Sequence, residues 1–164
     1  MGCWWKTVNR ISSINFKKSE KFSISFSFFQ LFIIKLKSFP DKLDAANKLA
    51  EINKSLTKLV KFVYEDKNKD TDKVKGILQL YTKFDPNNLT ENTPGGKYTA
   101  YSVNKGEQLS LCLRNVKDNT FIDNNTIYFV AIHELAHVMT HEVGHTPLFW
   151  DNMKYLLEEG EKAG

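Results

Sequence analysis

Residues 132–150 read IHELAHVMTHEVGHTPLFW and contain the pattern H-E-x-x-H. On an α-helix, residues four apart lie one turn apart on the same face. His133 and His137 could therefore hold one Zn²⁺ between their imidazoles, and Glu134 beside them could accept a proton from a zinc-activated water. The pattern predicts a zinc-binding helix that carries its own general base.

A chance match on an ordinary buried helix is the alternative to a zinc site. All four histidines of the chain fall within residues 133–145. Residues 126–132, TIYFVAI, are apolar nearly all round, which predicts a helix in the core. A glutamate is seldom buried in such a place without a partner, so the composition of the stretch favours zinc.

The third ligand has to come from beyond the straight part of this helix. His141 has a helical spacing, but it would lie about 6 Å further along the axis than His137, at 1.5 Å per residue. Three histidines at positions i, i+4 and i+8 of a straight helix cannot converge on one ion. The chain must turn back, and His141 is the less favoured ligand.

Gly144 is the residue that permits this turn, as a C′ glycine with a positive φ. Thr146 and Pro147 then read as the N-cap and the first residue of a new helix. His145 lies at the corner between the two helices, where its imidazole can point back towards the metal. We therefore predict His145 as the third ligand, with Glu158 on the second helix as a weaker alternative.

Three further helices are predicted from apolar residues that recur at three- and four-residue steps. They cover residues 41–66, residues 74–81 with an end before Asp85, and residues 146–159. Asp123 or Asn124 can cap the zinc helix.

Residues 98–103 and 108–113 predict a β-hairpin, because two runs of strand-forming residues flank the turn sequence NKGE, residues 104–107. Residues 85–97, with two prolines and a Gly-Gly pair, predict a loop. The result is a small α+β domain with a helical majority and a short antiparallel sheet. The edge of that sheet could pair with an extended substrate strand. Alternatively, the hairpin could have only a structural role and cover the hydrophobic core.

Charge is divided unevenly along the chain, and this predicts two regions. Residues 1–37 carry seven basic groups and one acidic group, whereas residues 38–164 carry sixteen basic and eighteen acidic groups. A domain with a slight excess of acidic groups is not a strong nucleic-acid binder. We predict a basic leader over residues 1–37 and a catalytic domain over residues 38–164.

The leader contains an apolar run of 13 residues, 22–34, flanked by lysines. This run is short of the roughly 17–25 residues that a helix needs to span a bilayer, but lysines and aromatic residues suit a membrane surface. Membrane association is one interpretation; a disordered extension, or a stretch outside the functional protein, is the other. The two cysteines, Cys3 and Cys112, form no C-x-x-C pair, so we expect a reducing, intracellular compartment. We also expect a monomer.

HELAH, residues 133–137, followed by HTPLFW, residues 145–150, resembles the WLM and SprT-like zinc metallopeptidases. These proteins read H-E-L-x-H, a short turn, then H-x-x-x-[FW]. Residues 98–107 and 149–159 resemble uncharacterised WLM-like proteins of large DNA viruses, and the resemblance covers residues 39–160. It implies a gluzincin-like zincin domain with one Zn²⁺ per chain. By position, His133, His137 and His145 would be the ligands and Glu134 the catalytic base.

We therefore expect a zinc-dependent metallopeptidase that acts on a protein or peptide substrate. A further donor to the developing oxyanion, or a contact to the substrate, is expected from His141, Tyr101 or Tyr98. Phe149 and Trp150 are expected to pack against the metal site and support it.

Two other classes of function use the same residues. A non-catalytic, zinc-stabilised interaction module would fold with the metal but turn over nothing. Glu134 argues against it, because a structural zinc site needs no general base. A metal-dependent hydrolase of non-peptide amides would be separated from a peptidase only by substrate profiling.

Overall fold

The computed structural model describes residues 40–67, 70–92 and 100–164. The leader, residues 1–37, and Tyr98 lie outside the described residues, so the division of the chain at residue 37 stays a prediction. The described elements are four α-helices, three strands and two short 3₁₀-helices, Thr71–Lys73 and Pro86–Asn88. The helices are α1 (Lys42–Glu65), α2 (Val74–Lys83), α3 (Asn124–Met139) and α4 (Pro147–Ala163); the strands are β1 (Leu89–Glu91), β2 (Ala100–Val103) and β3 (Gln108–Leu111). The predicted α+β domain with a helical majority is confirmed.

All four helices lie where the sequence predicts them, three from apolar periodicity and α3 from its H-E-x-x-H pattern, with small differences at the ends. α4 continues through Gly160 to Ala163, beyond the predicted end near residue 159. Gly160 is buried, and a Cβ built there would lie 3.8 Å from side-chain atoms of Ile132 and Leu59. Packing against α1 and α3 therefore continues the helix past a residue with poor helix propensity. None of the described helices combines the length and apolar character needed to cross a membrane.

The sheet has the strand order β1-β3-β2, with β3 in the centre. β2 and β3 pair antiparallel, which confirms the predicted hairpin, and β1 pairs parallel to β3. The prediction of a loop over residues 85–97 is wrong at β1. Leu89 is buried and pairs with Leu109, twenty residues away. A three-residue strand is too short to show an alternating pattern, so only its distant partner reveals it.

The tip of the hairpin is pressed onto the helices. Asn104, Lys105 and Gly106, in the four-residue loop between β2 and β3, all have positive φ, at 47°, 57° and 115°, which is characteristic of tight hairpin turns. A Cβ at Gly106 would lie 2.8 Å from the carbonyl oxygen of Lys83 and 3.0 Å from a methyl carbon of Val138. Only glycine fits at this contact, which fixes the hairpin against the end of α2 and the side of α3.

The zinc helix predicted from the sequence, α3, is the central helix of the domain. It packs against α4, α2 and β2, and Ala131, Leu135 and Ala136 on it are fully buried. His133 and Glu134 on this helix are buried as well, so they sit inside the protein and not on a solvated face.

Replacing Gly106 by alanine tests the close approach of the hairpin tip. We expect Gly106→Ala to lower the free energy of unfolding by about 2–3 kcal/mol, since the new methyl group meets backbone and the φ is unfavourable. Gly160→Ala is the matched control, because the space there is ordinary and the site is helical; it should stabilise by about 0.5–1 kcal/mol. Urea unfolding measures both, and equal effects from the two substitutions would contradict the packing described.

Candidate metal centre

The first two histidines are placed by α3 alone. The helix begins after Asp123, whose carboxylate accepts a hydrogen bond of 2.9 Å from the backbone N–H of Thr126. This confirms the predicted cap at Asp123. His133 and His137 follow on one face, and their Nε2 atoms lie 3.2 Å apart. His133 is buried, with 8% of its surface exposed, and His137 is half-buried.

The third histidine lies near the first two because the chain reverses its direction between α3 and α4. Gly144 has a φ of 88°, and Thr146 caps α4 by accepting a hydrogen bond from the N–H of Phe149, with Pro147 as the first helical residue. The Nε2 atom of His145 lies 3.1 Å from that of His133. The structure therefore brings His145 into the cluster.

One detail of the predicted turn is wrong. Gly144 is not the C′ residue of α3, because the helix ends at Met139 and Thr140 is already extended, with a ψ of 126°. The hydroxyl of Thr140 donates to the carbonyl oxygen of Ala136 at 2.7 Å. This bond satisfies a carbonyl of the last helical turn, so a threonine ends the helix and the glycine turns the loop four residues later.

The other two candidate ligands do not join the cluster. The side chain of His141 is 61% exposed, and its Nε2 lies 3.9 Å from a carboxylate oxygen of Glu142. Glu158 is exposed on α4 and lies 3.8 Å from Lys154, one turn before it. The group of side chains that could hold a metal ion among the described residues is His133, His137 and His145.

The spacing of the three rings fits a tetrahedral zinc ion. Two nitrogen ligands at 2.0–2.1 Å from zinc lie about 3.3 Å apart in a tetrahedral site. The two measured Nε2 separations from His133, 3.2 Å and 3.1 Å, are close to that value. Three imidazoles with a fourth position left open form the donor set of a catalytic zinc.

Burial keeps the two helical histidines in the form that binds metal. Burial, with smaller contributions from the neighbouring His137 and His145, lowers the pKa of His133 to about 3. Burial, with the charges of His145 and Lys105, lowers the pKa of His137 to about 4. Both imidazoles are therefore neutral at physiological pH, with a lone pair available.

Phe149 supports the cluster from below. Its ring centroid lies 4.8 Å from that of His133, 4.3 Å from that of His137 and 4.8 Å from that of His145, and the residue is fully buried. Trp150 contacts only the outer member, with 5.7 Å between its ring and that of His145, and is 46% exposed. Phe149 therefore occupies the place predicted for both aromatic residues, whereas Trp150 flanks the site at the surface.

Glu134 is a buried carboxyl beside the histidines, with 7% of its surface exposed. Burial raises its pKa to about 7, although hydrogen bonds from the hydroxyl and the backbone N–H of Ser102 act in the opposite direction. Ser102 was not predicted from the sequence, because nothing local distinguishes a serine in a short strand. Only the docking of β2 beside α3 brings it to the carboxyl group.

Tyr101 and Tyr98 are the two other candidates from the hairpin. Tyr101 is half-buried on β2, and its side chain leaves the strand on the face opposite to that of Ser102. Tyr98 lies outside the described residues. A role for either residue stays a prediction.

A buried polar network that the sequence did not predict fixes both ends of the reversal. The amide of Asn152, on α4, donates to the hydroxyl of Thr140 at 2.9 Å. Lys73, before α2, donates to the side-chain oxygen of Asn152 at 3.2 Å and forms an ion pair with Asp151. Asn152 and Lys73 are both buried, so the network ties the end of α3 to the first turns of α4.

Comparison with known proteins gives a family and a fold. A model of the WLM domain matches residues 29–163. An uncharacterised protein of Acanthamoeba polyphaga mimivirus is 39% identical over 114 residues, which cover 70% of this chain and 58% of that protein. An uncharacterised protein of Invertebrate iridescent virus 6 is 37% identical over 67 residues, 40% of this chain and 37% of that protein. The chain thus matches about half or less of the length of these viral relatives.

Two crystal structures of Wss1 from Saccharomyces cerevisiae share the fold. One has a TM-score of 0.56 and 26% sequence identity, over 76% of this chain and 83% of the yeast chain. A Wss1 mutant has a TM-score of 0.58 and 24% identity, over 76% and 84% of the two chains.

Replacing Glu134 by glutamine tests the burial of its carboxyl group. In metal-free protein above pH 7 the carboxylate is ionised at a cost, because its folded pKa is about 7 and its ordinary value is 4.5. We expect Glu134→Gln to raise the free energy of unfolding by about 1–3 kcal/mol at pH 8.5. As the pH falls from 7 towards 4.5, the folded state takes up the proton first, so most of the gain should disappear by pH 5.

Urea unfolding in the presence of a chelator measures this difference. Glu158→Gln is the control, because that carboxylate is exposed and its replacement should have little effect at either pH. A gain for Glu134→Gln that is equally large at both pH values would show that the carboxyl is not held at a raised pKa.

Proposed function

This chain belongs to the WLM domain family, and on that premise we propose that it is a zinc-dependent metallopeptidase that hydrolyses peptide bonds. The observation that carries the proposal is the convergence of three imidazoles next to a buried carboxyl group. Its support is the spacing of the ring nitrogens, which suits zinc, and a general base placed on the same helix.

Each residue of the site has a part in the proposed reaction. His133, His137 and His145 would hold zinc, which supplies a Lewis acid for the scissile carbonyl. Glu134 would accept a proton from the attacking water and deliver it to the leaving amine. Glu134 follows His133 directly on α3 and is buried, so its carboxyl group is held beside the imidazoles.

The sheet offers a place for an extended peptide. Among the described residues, no strand pairs with the outer edge of β2, which lies next to α3 and carries Ser102. Main-chain hydrogen bonds along such an edge could hold a substrate in extended form. The proposed substrate is therefore a protein or peptide segment without folded structure.

A zinc-stabilised interaction module is the second candidate. It would need the three histidines but not Glu134, and burial of a carboxyl group beside the cluster opposes folding. That cost favours the catalytic interpretation, because a role as general base would explain why a destabilising carboxyl group is present there. A hydrolase of non-peptide amides would share every residue and differ only in substrate.

Zinc content tests the ligand set. We expect about one zinc per full-length chain by elemental analysis. His145→Ala should lose most of this zinc, because two imidazoles bind it far more weakly than three, whereas the exposed His141→Ala should retain it. Zinc lost with His141 and kept with His145 would refute the proposed ligands.

Glu134→Gln tests catalysis separately from metal binding. The variant should keep its zinc and lose peptide hydrolysis by about 10²–10⁴-fold, because the general base is gone. Cleavage of an unfolded protein is followed by mass spectrometry, with Glu158→Gln as a control that should cleave normally. Cleavage by Glu134→Gln at the wild-type rate would rule out the mechanism, and zinc binding without any cleavage in the wild type would favour the interaction module.

A further inference from the structure

The loop that carries His145 has little packing of its own. Residues 141–145 are all exposed, although His145 must reach the two buried or half-buried histidines of α3. Exposed segments with few packing contacts are ordinarily the least ordered parts of a fold. Besides the packing of its ring against Phe149, the position of His145 therefore depends on contacts made to the backbone of this loop.

Lys105 makes such contacts to three successive residues. Its ammonium donates to the carbonyl oxygens of Thr140 at 2.8 Å, His141 at 2.6 Å and Glu142 at 3.2 Å. An ammonium has three N–H donors, so each donor of Lys105 has a carbonyl acceptor in this loop. Carbonyls that follow a helix also lie at the negative end of its dipole, where a cation is favourable.

The lysine comes from a fixed part of the molecule. It lies at the tip of the β2–β3 hairpin, between Asn104 and Gly106. Asn104 donates to Glu107 at 2.7 Å, and the N–H of Gly106 donates to the carbonyl oxygen of Val103 at 3.1 Å. Gly106 is also pressed against the ends of α2 and α3. The hairpin therefore offers a rigid base from which Lys105 reaches the loop.

We propose that Lys105 is a positioning residue for the third zinc ligand: by gathering the carbonyls of residues 140–142, it sets the path along which the chain returns to present His145. The inference rests on the proposed zinc site and concerns how that site is assembled. Lys105 acts through the backbone of the loop and has no contact with the metal in this role.

The charge of Lys105 and its positioning role predict opposite effects on zinc. Its positive charge acts unfavourably on a second cation nearby, because like charges repel. If charge alone mattered, removing it would tighten zinc binding. If Lys105 positions His145, removing it would weaken zinc binding, because outer contacts of metal ligands are worth about 10–100-fold in affinity.

Lys105→Met in the full-length chain separates these effects. Methionine keeps the length and apolar stem of the side chain without the ammonium. We expect zinc to bind about 10–100-fold more weakly, measured by competition with a chromophoric chelator. Lys154→Met is the control, since Lys154 is 75% exposed on α4 and its replacement should leave zinc affinity unchanged. Lys105→Gln takes the place of Lys105→Met, with the same expectation, if the first variant does not fold.

A double-mutant cycle with His145→Ala tests the route of the effect. When His145 is absent, Lys105→Met should change zinc affinity by less than about twofold, because there is no third ligand left to position. An equal loss in both backgrounds would show that Lys105 acts on the domain as a whole and would overturn the inference. Wild-type affinity, or tighter binding, in Lys105→Met would also overturn it while leaving the zinc site intact. A wild-type chain that binds no zinc would refute the proposed function itself.

Discussion

Three imidazole nitrogens can meet at one point only if the chain reverses within a few residues of the helix that carries the first two. The period of an α-helix places His133 and His137 on one face and sends every later residue further along the axis. The reversal between Met139 and Pro147 resolves this constraint. Most of the polar interactions near the site serve it: some end the first helix, others start the second, and Lys105 holds the backbone between them.

The reversal depends on several weak interactions: hydrogen bonds, a helix cap and aromatic packing. The hydroxyl of Thr140 satisfies a carbonyl of the last turn of α3 and accepts a hydrogen bond from Asn152 on α4. Thr146 and Pro147 set the direction in which α4 leaves. Phe149 then lies under all three rings. Because α4 supplies both the network and the aromatic support, its docking and the closing of the histidine cluster are a single structural event.

The interactions at the reversal stabilise the fold, whereas the burial of the Glu134 carboxyl destabilises it. Burial raises the pKa of Glu134 and makes the ionised form costly, and the hydrogen bonds from Ser102 offset part of that cost. A polar group retained in the core at such a cost is characteristic of a functional site. The edge strand that supplies Ser102 is also the strand proposed to receive the substrate, so Glu134 and the peptide would both contact β2.

The sequence by itself determined most of the features that depend on neighbours along the chain. The helical period brought His133 and His137 together, the Thr-Pro pair marked the start of α4, and the turn residues around Gly106 predicted the hairpin. These features rest on local geometry, which a few consecutive residues specify. The choice of His145 over His141 also followed from the rise of a helix.

Only the tertiary structure decided which distant groups meet. The strand at Leu89, the bonds from Ser102 to Glu134 and the contacts of Lys105 with the loop join residues that lie from 20 to 37 positions apart. A single serine or lysine gives no sequence signal that predicts its partner, because the partner depends on how strands and helices pack together. The end of α3 before Thr140, and not at Gly144, also involves such a contact, because the hydroxyl that bonds Ala136 accepts a hydrogen bond from Asn152 on α4.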